Sequence, residues 1–168
     1  AFCTAFHTAG DALRAAIQAQ QALTRMNASR EGEKVNSSFI IQNSSLLLKV
    51  RMGIHTGEAV SHNGEYRGYL TLSMIQRVMS AGHGGQILIS DVVAQVVREH
   101  LPAHVSLLDL GEHNLKGLLR AEKIYQVNVP DLQKDFPALN TIAAATNNLP
   151  MQLTSFIGRE KEIREAKE

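Results

Sequence analysis

Residues 50–90, VRMGIHTGEAVSHNGEYRGYLTLSMIQRVMSAGHGGQILIS, narrow the possible folds more than any other stretch of the chain. Val50, Met52 and Ile54 at one end and Ile87, Leu88 and Ile89 at the other have the composition of buried strands. Between them, residues 70–81 place Leu72, Ile75, Val78 and Met79 on one side of a 3.6-residue period. Ser73, Gln76, Arg77 and Ser80 fall on the other side, the pattern of a helix laid on a sheet. Gly53, Gly57, Gly64, Gly68, Gly82, Gly84 and Gly85 punctuate the joins. A sequence that orders strand, turn, helix, turn and strand in this way points to a layered α/β arrangement.

The flanks extend the alternation. Residues 1–8 alternate like a strand, and 9 to about 26 form a helix with Ala12, Leu13, Ala16, Ile17 and Leu23 on one face. Residues 27–45, rich in Asn, Ser and charge, are expected to be a loop insertion, and 46–54 a strongly buried strand. Residues 58–60 can prolong that strand up to a turn at His62-Asn63-Gly64. After the strand at 86–89, Ser90 can cap a helix over 91–101 whose buried stripe is Val93, Val96 and Val97. Two further strands, 105–110 and 123–129, turn at Gly111 and Gly117. The expected fold is α/β, with helices packed on one mixed sheet across residues 1–129. Periodicity fades after Pro130, so 130–152, with Pro130, Pro137 and Pro150, reads as a linker.

Composition excludes several function classes. A formal net charge of +1 gives no electrostatic footprint for nucleic acid. One cysteine cannot make an internal disulfide, and no apolar run reaches membrane-spanning length, which fits a reducing cytoplasm. Cys3 reads as a buried, inert thiol. The seven histidines show no H-E-x-x-H or Cys/His ligand spacing, and no G-x-S-x-G elbow occurs. Both ends look cut: the first residues carry no initiator Met or signal pattern, and FIGREKEIREAKE stops inside a newly begun charged helix. The chain is therefore expected to be a fragment of a longer protein.

Gly53-Ile54-His55-Thr56-Gly57, Tyr66-Arg67-Gly68, Arg77, Gly85-Gln86-Ile87-Leu88-Ile89-Ser90 and Asn114-Leu115-Lys116-Gly117-Leu118 occur in that order. Together they resemble the C-terminal half of a class III adenylate/guanylate cyclase catalytic domain. The resemblance implies a ferredoxin-like nucleotide cyclase fold, ATP or GTP as substrate, and a homodimer with active sites between two subunits. It also implies two metal-holding Asp residues and a base-reading lysine, all upstream of residue 1, so that Mg²⁺ or Mn²⁺ would be held in the intact parent and not here. Asp11, near a helix start, is read as a partner for the helix dipole and not as a metal ligand. The segment NNLPMQLTSFIGREKEI resembles the opening of bacterial signal-transduction ATPases, which makes 153–168 the expected start of a P-loop ATPase domain without its G-x-x-x-x-G-K-[ST] loop.

On this resemblance Arg77 takes the place of the transition-state arginine, against the plain reading of a helical surface arginine in an ion pair. Ser73, one turn earlier, stands where the family has a ribose-orienting Asn, and a hydroxyl offers fewer hydrogen bonds than an amide. Glu65 falls where adenine-reading cyclases often carry an Asp, and Lys116 matches a lysine that can reach the triphosphate. Lys116 could equally be an exposed turn residue, and for Glu65 the extra residue in the turn favours the plain reading of a solvated turn residue. Gly68 lies nine residues before Arg77 where eight is usual, and this spacing, like Ser73, argues for reduced or lost activity. Three functions remain open: a working cyclase domain, a catalytically degenerate regulatory module controlling a downstream ATPase and transcriptional output, and a ferredoxin-like interaction domain with no nucleotide role.

Overall fold

The computed structural model describes residues 2–32, 47–63 and 65–141. A long helix, α1 (Ala9–Gly32), leads to strand β1 (Met52–Ile54), and a short hairpin follows, β2 (Val60–His62) and β3 (Glu65–Arg67). Next come helix α2 (Tyr69–Ala81), strand β4 (Ile87–Ser90), helix α3 (Asp91–Val97) with a 3-10 turn at Arg98–His100, and strands β5 (Ser106–His113) and β6 (Glu122–Asn128). Four strands form one mixed sheet in the order β1-β4-β6-β5, while β2 and β3 pair only with each other. β1 and β4 run parallel, with Ile54 beside Ile89, and β4 to β6 and β6 to β5 are antiparallel. The parallel pair needs a crossover, and α2 supplies it.

Side-chain alternation along β4 assigns the two layers. Ile87 and Ile89 face Leu13 and Ile17 of α1 and Val93, Ala94 and Val97 of α3, whereas Leu88 faces the opposite way, toward Val78 and Ala81 of α2. β6 repeats the division, with Tyr125 and Val127 on the first face and Ile124 on the second. The central strands are thus covered on both sides, and all of β4 is buried. Each fully buried Ile or Leu here contributes about 2 kcal/mol through apolar burial. Gly53 sets how closely α2 approaches β1: a Cβ at this position would lie 2.7 Å from the Met79 backbone nitrogen. Only the absence of a side chain lets strand and helix backbones meet at that distance.

Local chemistry explains where the structure departs from the sequence expectations. Residues 2–8 form no strand: they are exposed and irregular, with a bend at His7 and Thr8, because alternation alone gives no ladder without a neighbour. Cys3 is correspondingly exposed, not buried. Helix α1 runs on through Asn27 to Gly32, and Thr24 and Ser29 turn their hydroxyls back onto the carbonyls of Gln20 and Arg25. Of the strand expected over 46–54 only β1 forms. Asn27 accepts from the Leu48 N–H (3.1 Å) and donates to its carbonyl (3.0 Å), which takes that backbone out of any ladder and leaves Leu47 and Leu48 exposed.

Further along, Ser90 does not cap α3, since its hydroxyl is engaged elsewhere, and Val96 faces outward while Ala94 takes its place in the buried stripe. α-Helical geometry stops at Val97. The chain then tightens into the 3-10 turn and becomes extended at Leu101, as the following Pro102 requires. The rest of the expected insertion, 33–45, the later part of the linker and the ATPase-like segment lie outside the described residues. Residues 130–141 run back across the domain: Leu132 is buried, Leu139 packs on the α2 face, and the Asn140 N–H donates to the Ala81 carbonyl (2.8 Å).

Candidate functional site

The solvent-facing side of α2 borders a shallow cleft of about 190 Å³. Its walls are Ser73, Gln76, Arg77 and Ser80 from successive turns of α2, Leu115 and Lys116 from the β5–β6 turn, and Asn140 from the returning segment. Sequence position explains the helix wall directly, because residues four apart share a face. The turn wall depends on Gly117. This residue has φ +75°, and a Cβ on it would lie 3.2 Å from both terminal guanidinium nitrogens of Arg77. A glycine is needed for that backbone conformation and for the arginine to rest against the turn.

Arg77 is half-buried and held at two points. Its Nε donates to Ser73 Oγ at 3.2 Å, and Nη1 donates to the Lys116 carbonyl. A guanidinium carries five N–H donors; less the two engaged, three remain for a ligand. The arginine is therefore aimed by the fold and still able to bind an anionic oxygen. The Lys116 side chain is exposed beside it, so among the described residues the cleft carries two cationic groups and no carboxylate.

The structure brings Arg77, Ser73 and Lys116 together. Glu65 lies on β3, its backbone paired with His62 of β2 in the separate two-stranded sheet. Asp11 occupies the first turn of α1, where its backbone N–H donates to Thr8 Oγ1 (3.1 Å) and the Thr8 hydroxyl donates to its carboxylate (2.6 Å), a reciprocal helix start. These contacts, with Arg14, hold its pKa below the ordinary carboxylate value. Asn140 is the cleft residue that the sequence did not suggest. It sits in a proline-flanked stretch without periodicity, and only the tertiary return of the chain reveals it.

A second polar pair lies at the ends of β1 and β4. His55 Nδ1 and Ser90 Oγ share a hydrogen bond of 2.8 Å, and burial pushes the His55 pKa below its ordinary 6.5. Asp91 accepts from the Tyr125 hydroxyl (3.2 Å) and from Gln95 (2.6 Å), fixing the start of α3 on the sheet. Among the described residues no three His, Cys, Asp or Glu side chains converge as a metal site. The described residues of the cleft walls do not fit a divalent cation either, because they offer it no carboxylate, thiol or imidazole.

This geometry has a counterpart among solved structures. An adenylate/guanylate cyclase/hydrolase from Silicibacter pomeroyi superposes with a TM-score of 0.58 at 26% identity, over 75% of this chain and 65% of that one. The chain carries an adenylate/guanylate cyclase-like domain. An uncharacterized protein of Mycobacterium tuberculosis is 36% identical over 136 residues, 80% of this chain and 47% of that protein. A receptor-type adenylate cyclase of Trypanosoma equiperdum is 31% identical over 87 residues, 48% of this chain and 18% of its own length. The cyclase-like chain thus spans about half the length of the mycobacterial relative. No protein-family model matches it.

Proposed function

We propose that this domain binds a nucleoside triphosphate, ATP or GTP, in the α2 cleft. In the intact parent protein, acting as a cytoplasmic homodimer, it converts that substrate to a 3′,5′-cyclic nucleotide and pyrophosphate. The observation that carries the reading is the aimed guanidinium of Arg77, held by Ser73 and the Lys116 carbonyl with N–H groups to spare. In such a reaction the ribose 3′-oxygen forms a bond to the α-phosphorus and the bond from that phosphorus to the β-bridging oxygen breaks. The 3′-hydroxyl proton leaves to a base, and negative charge grows on the departing pyrophosphate and the α-phosphoryl oxygens. A guanidinium at that point acts on charge present mainly in the transition state, and the exposed Lys116 ammonium can meet the remaining phosphates.

Mg²⁺ or Mn²⁺ would neutralise phosphate charge in this chemistry, held by carboxylates supplied outside these residues. The cleft itself offers none. Neither membrane nor nucleic acid is part of the proposal: no described helix is long and apolar enough to cross a membrane, and the net charge is +1.

A second reading draws support from the same contacts. Ser73 spends its hydroxyl on Arg77, and Arg77 is anchored to the Lys116 backbone, so this wall is partly closed on itself. A domain that keeps the fold as a regulatory or dimerisation module, controlling a downstream ATPase, would tolerate that closure. Equilibrium binding of ATP and GTP by the full-length protein, followed by assay for cyclic product, separates the two. A metal-dependent cyclic product whose rate falls about a hundredfold in Arg77→Ala supports the enzyme. Binding without product supports the module, and no binding removes the cleft from both.

A further inference from the structure

Residues 130–141 leave β6 and cross to the far end of α2, where most of their ties gather. The Asn140 N–H donates to the Ala81 carbonyl at 2.8 Å, giving a partner to one of the carbonyls that the last turn of a helix cannot satisfy from within. Leu139 packs on the cluster that contains Val78, Ala81 and Leu88. In the turn after α2, the His83 ring hydrogen-bonds the Ala138 carbonyl at 2.9 Å, and a Cβ on Gly85 would lie 3.7 Å from the Phe136 ring.

A buried relay of amides runs beneath the same segment. The His83 N–H donates to Gln86 Oε1 (3.0 Å), and Gln86 Nε2 donates to Gln126 Oε1 (2.7 Å). Gln126 Nε2 then donates to both Asn128 Oδ1 and the Lys134 carbonyl, at 2.7 Å each, so both of its N–H groups are spent. Gln86 and Gln126 are buried, and lifting the segment away would take the acceptor from a buried donor. That loss comes together with the seats of Leu132 and Leu139, which makes docked and released two distinct states and not the ends of a gradual slide. Ordering the backbone of 130–141 opposes docking, so the released state lies closer to the native one than global unfolding does.

Release would also dismantle one side of the α2 cleft. Asn140 would leave the wall, and Ala81, one turn beyond Arg77, would lose its cap. A ligand that meets both α2 and the returning segment binds the docked state better, and only such a difference can shift the balance between two states. We infer that residues 130–141 are a strap whose docking is coupled to nucleotide in the α2 cleft: occupancy fastens the strap, and release of the strap weakens binding by the same factor. The inference rests on the nucleotide reading of the cleft. It goes beyond that reading by giving the domain a means of passing occupancy on to the chain after Thr141.

The test is amide hydrogen exchange in the full-length protein, free and saturated with ATP or GTP, beside the equilibrium affinity of the same nucleotides for wild type, His83→Ala and Leu139→Ala. Neither replaced side chain lines the cleft. The amides of β4, a strand buried throughout, open only with the whole domain and slow whenever nucleotide is bound, so they report occupancy. The Asn140 amide opens with the strap. In wild type it should exchange faster than β4 and slow about tenfold on saturation. Leu139→Ala should speed Asn140 exchange in the free protein and weaken nucleotide affinity by up to about tenfold. His83→Ala, which leaves the core untouched, should act in the same direction by less. Slowing of β4 with Asn140 unmoved means that nucleotide binds without coupling, and it overturns the inference alone. Faster Asn140 exchange in both variants at unchanged affinity does the same, as does Asn140 exchange no faster than β4 in free wild type. Absence of any slowing, with no measurable affinity in wild type, overturns the cleft reading and the inference with it.

Discussion

The α2 cleft and the β2–β3 hairpin are joined by a single residue, Gly68, yet they are built on different principles. α2 is pressed between β1 and the solvent, backbone to backbone at Gly53, with Val78 and Ala81 sealed against Leu88. The hairpin strands pair with each other over three residues and with no other described strand, and Val60 on them is 61% exposed. Residues that the cyclase resemblance assigns to α2 and to the β5–β6 turn meet in one cleft, while Glu65 belongs to the separate two-stranded sheet. The contrast teaches that a motif is displayed with useful accuracy where close packing leaves its element one position.

Substitutions can break this contrast or sharpen it. The largest effect is expected for Gly53→Ala, where a methyl group meets the Met79 backbone and not a movable side chain tip. Chemical denaturation should show a loss of about 3 kcal/mol, and a loss under about 1 kcal/mol would mean that α2 can slide on the sheet. Gly117→Ala comes next. Its φ of +75° is strained for any other residue and its Cβ would crowd the Arg77 guanidinium, so about 1–2 kcal/mol of stability should go. Nucleotide affinity should fall with it, and binding unaffected by this change would separate the turn from the cleft.

Acidification gives a smaller, signed effect. Burial lowers the His55 pKa in the folded chain below 6.5, so the fold favours the neutral ring. The stability this contributes is fully present above pH 6.5 and is lost as pH falls from there through the folded value. Urea midpoints between pH 8 and 5 should decline in wild type and decline less in His55→Asn; equal slopes would remove His55 from the account. The smallest effect belongs to the hairpin, where Val60→Thr should change stability by no more than about 0.5 kcal/mol. A cost several times larger would show that the hairpin is packed as firmly as α2.

The same difference governs what could be read from the sequence. The β4 run Ile87-Leu88-Ile89, the amphipathic pattern over α2 and the β5–β6 turn were legible because burial on both faces and a 3.6-residue period write themselves into residue type. The resemblance singles out Arg77, Ser73 and Lys116, and their meeting in one cleft depends on Gly117, a turn glycine whose φ no sequence states. Residues 2–8 and 47–51 look like strands in the sequence and form none, because apolar alternation is only half of a strand; the Asn27 clamp on Leu48 belongs to tertiary structure. Asn140 was hidden for a related reason. A proline-flanked, aperiodic stretch looks like a linker until Leu132, Leu139 and the Ala81 carbonyl give it a place to bind.

The central claim is that Arg77 is held ready for the phosphates of a nucleotide, and its most direct test is turnover by the full-length protein. Cyclic nucleotide formed from ATP and from GTP with Mg²⁺ or Mn²⁺ should be measured for wild type, Arg77→Ala and Ser73→Asn. The account predicts that Arg77→Ala lowers turnover by about a hundredfold with little change in KM, since the lost group acts on transition-state charge. Ser73→Asn should raise turnover, because an amide offers the sugar more hydrogen bonds than a hydroxyl already committed to Arg77. A wild-type protein that forms cyclic product at an unchanged rate after Arg77→Ala would contradict the assignment of that arginine outright.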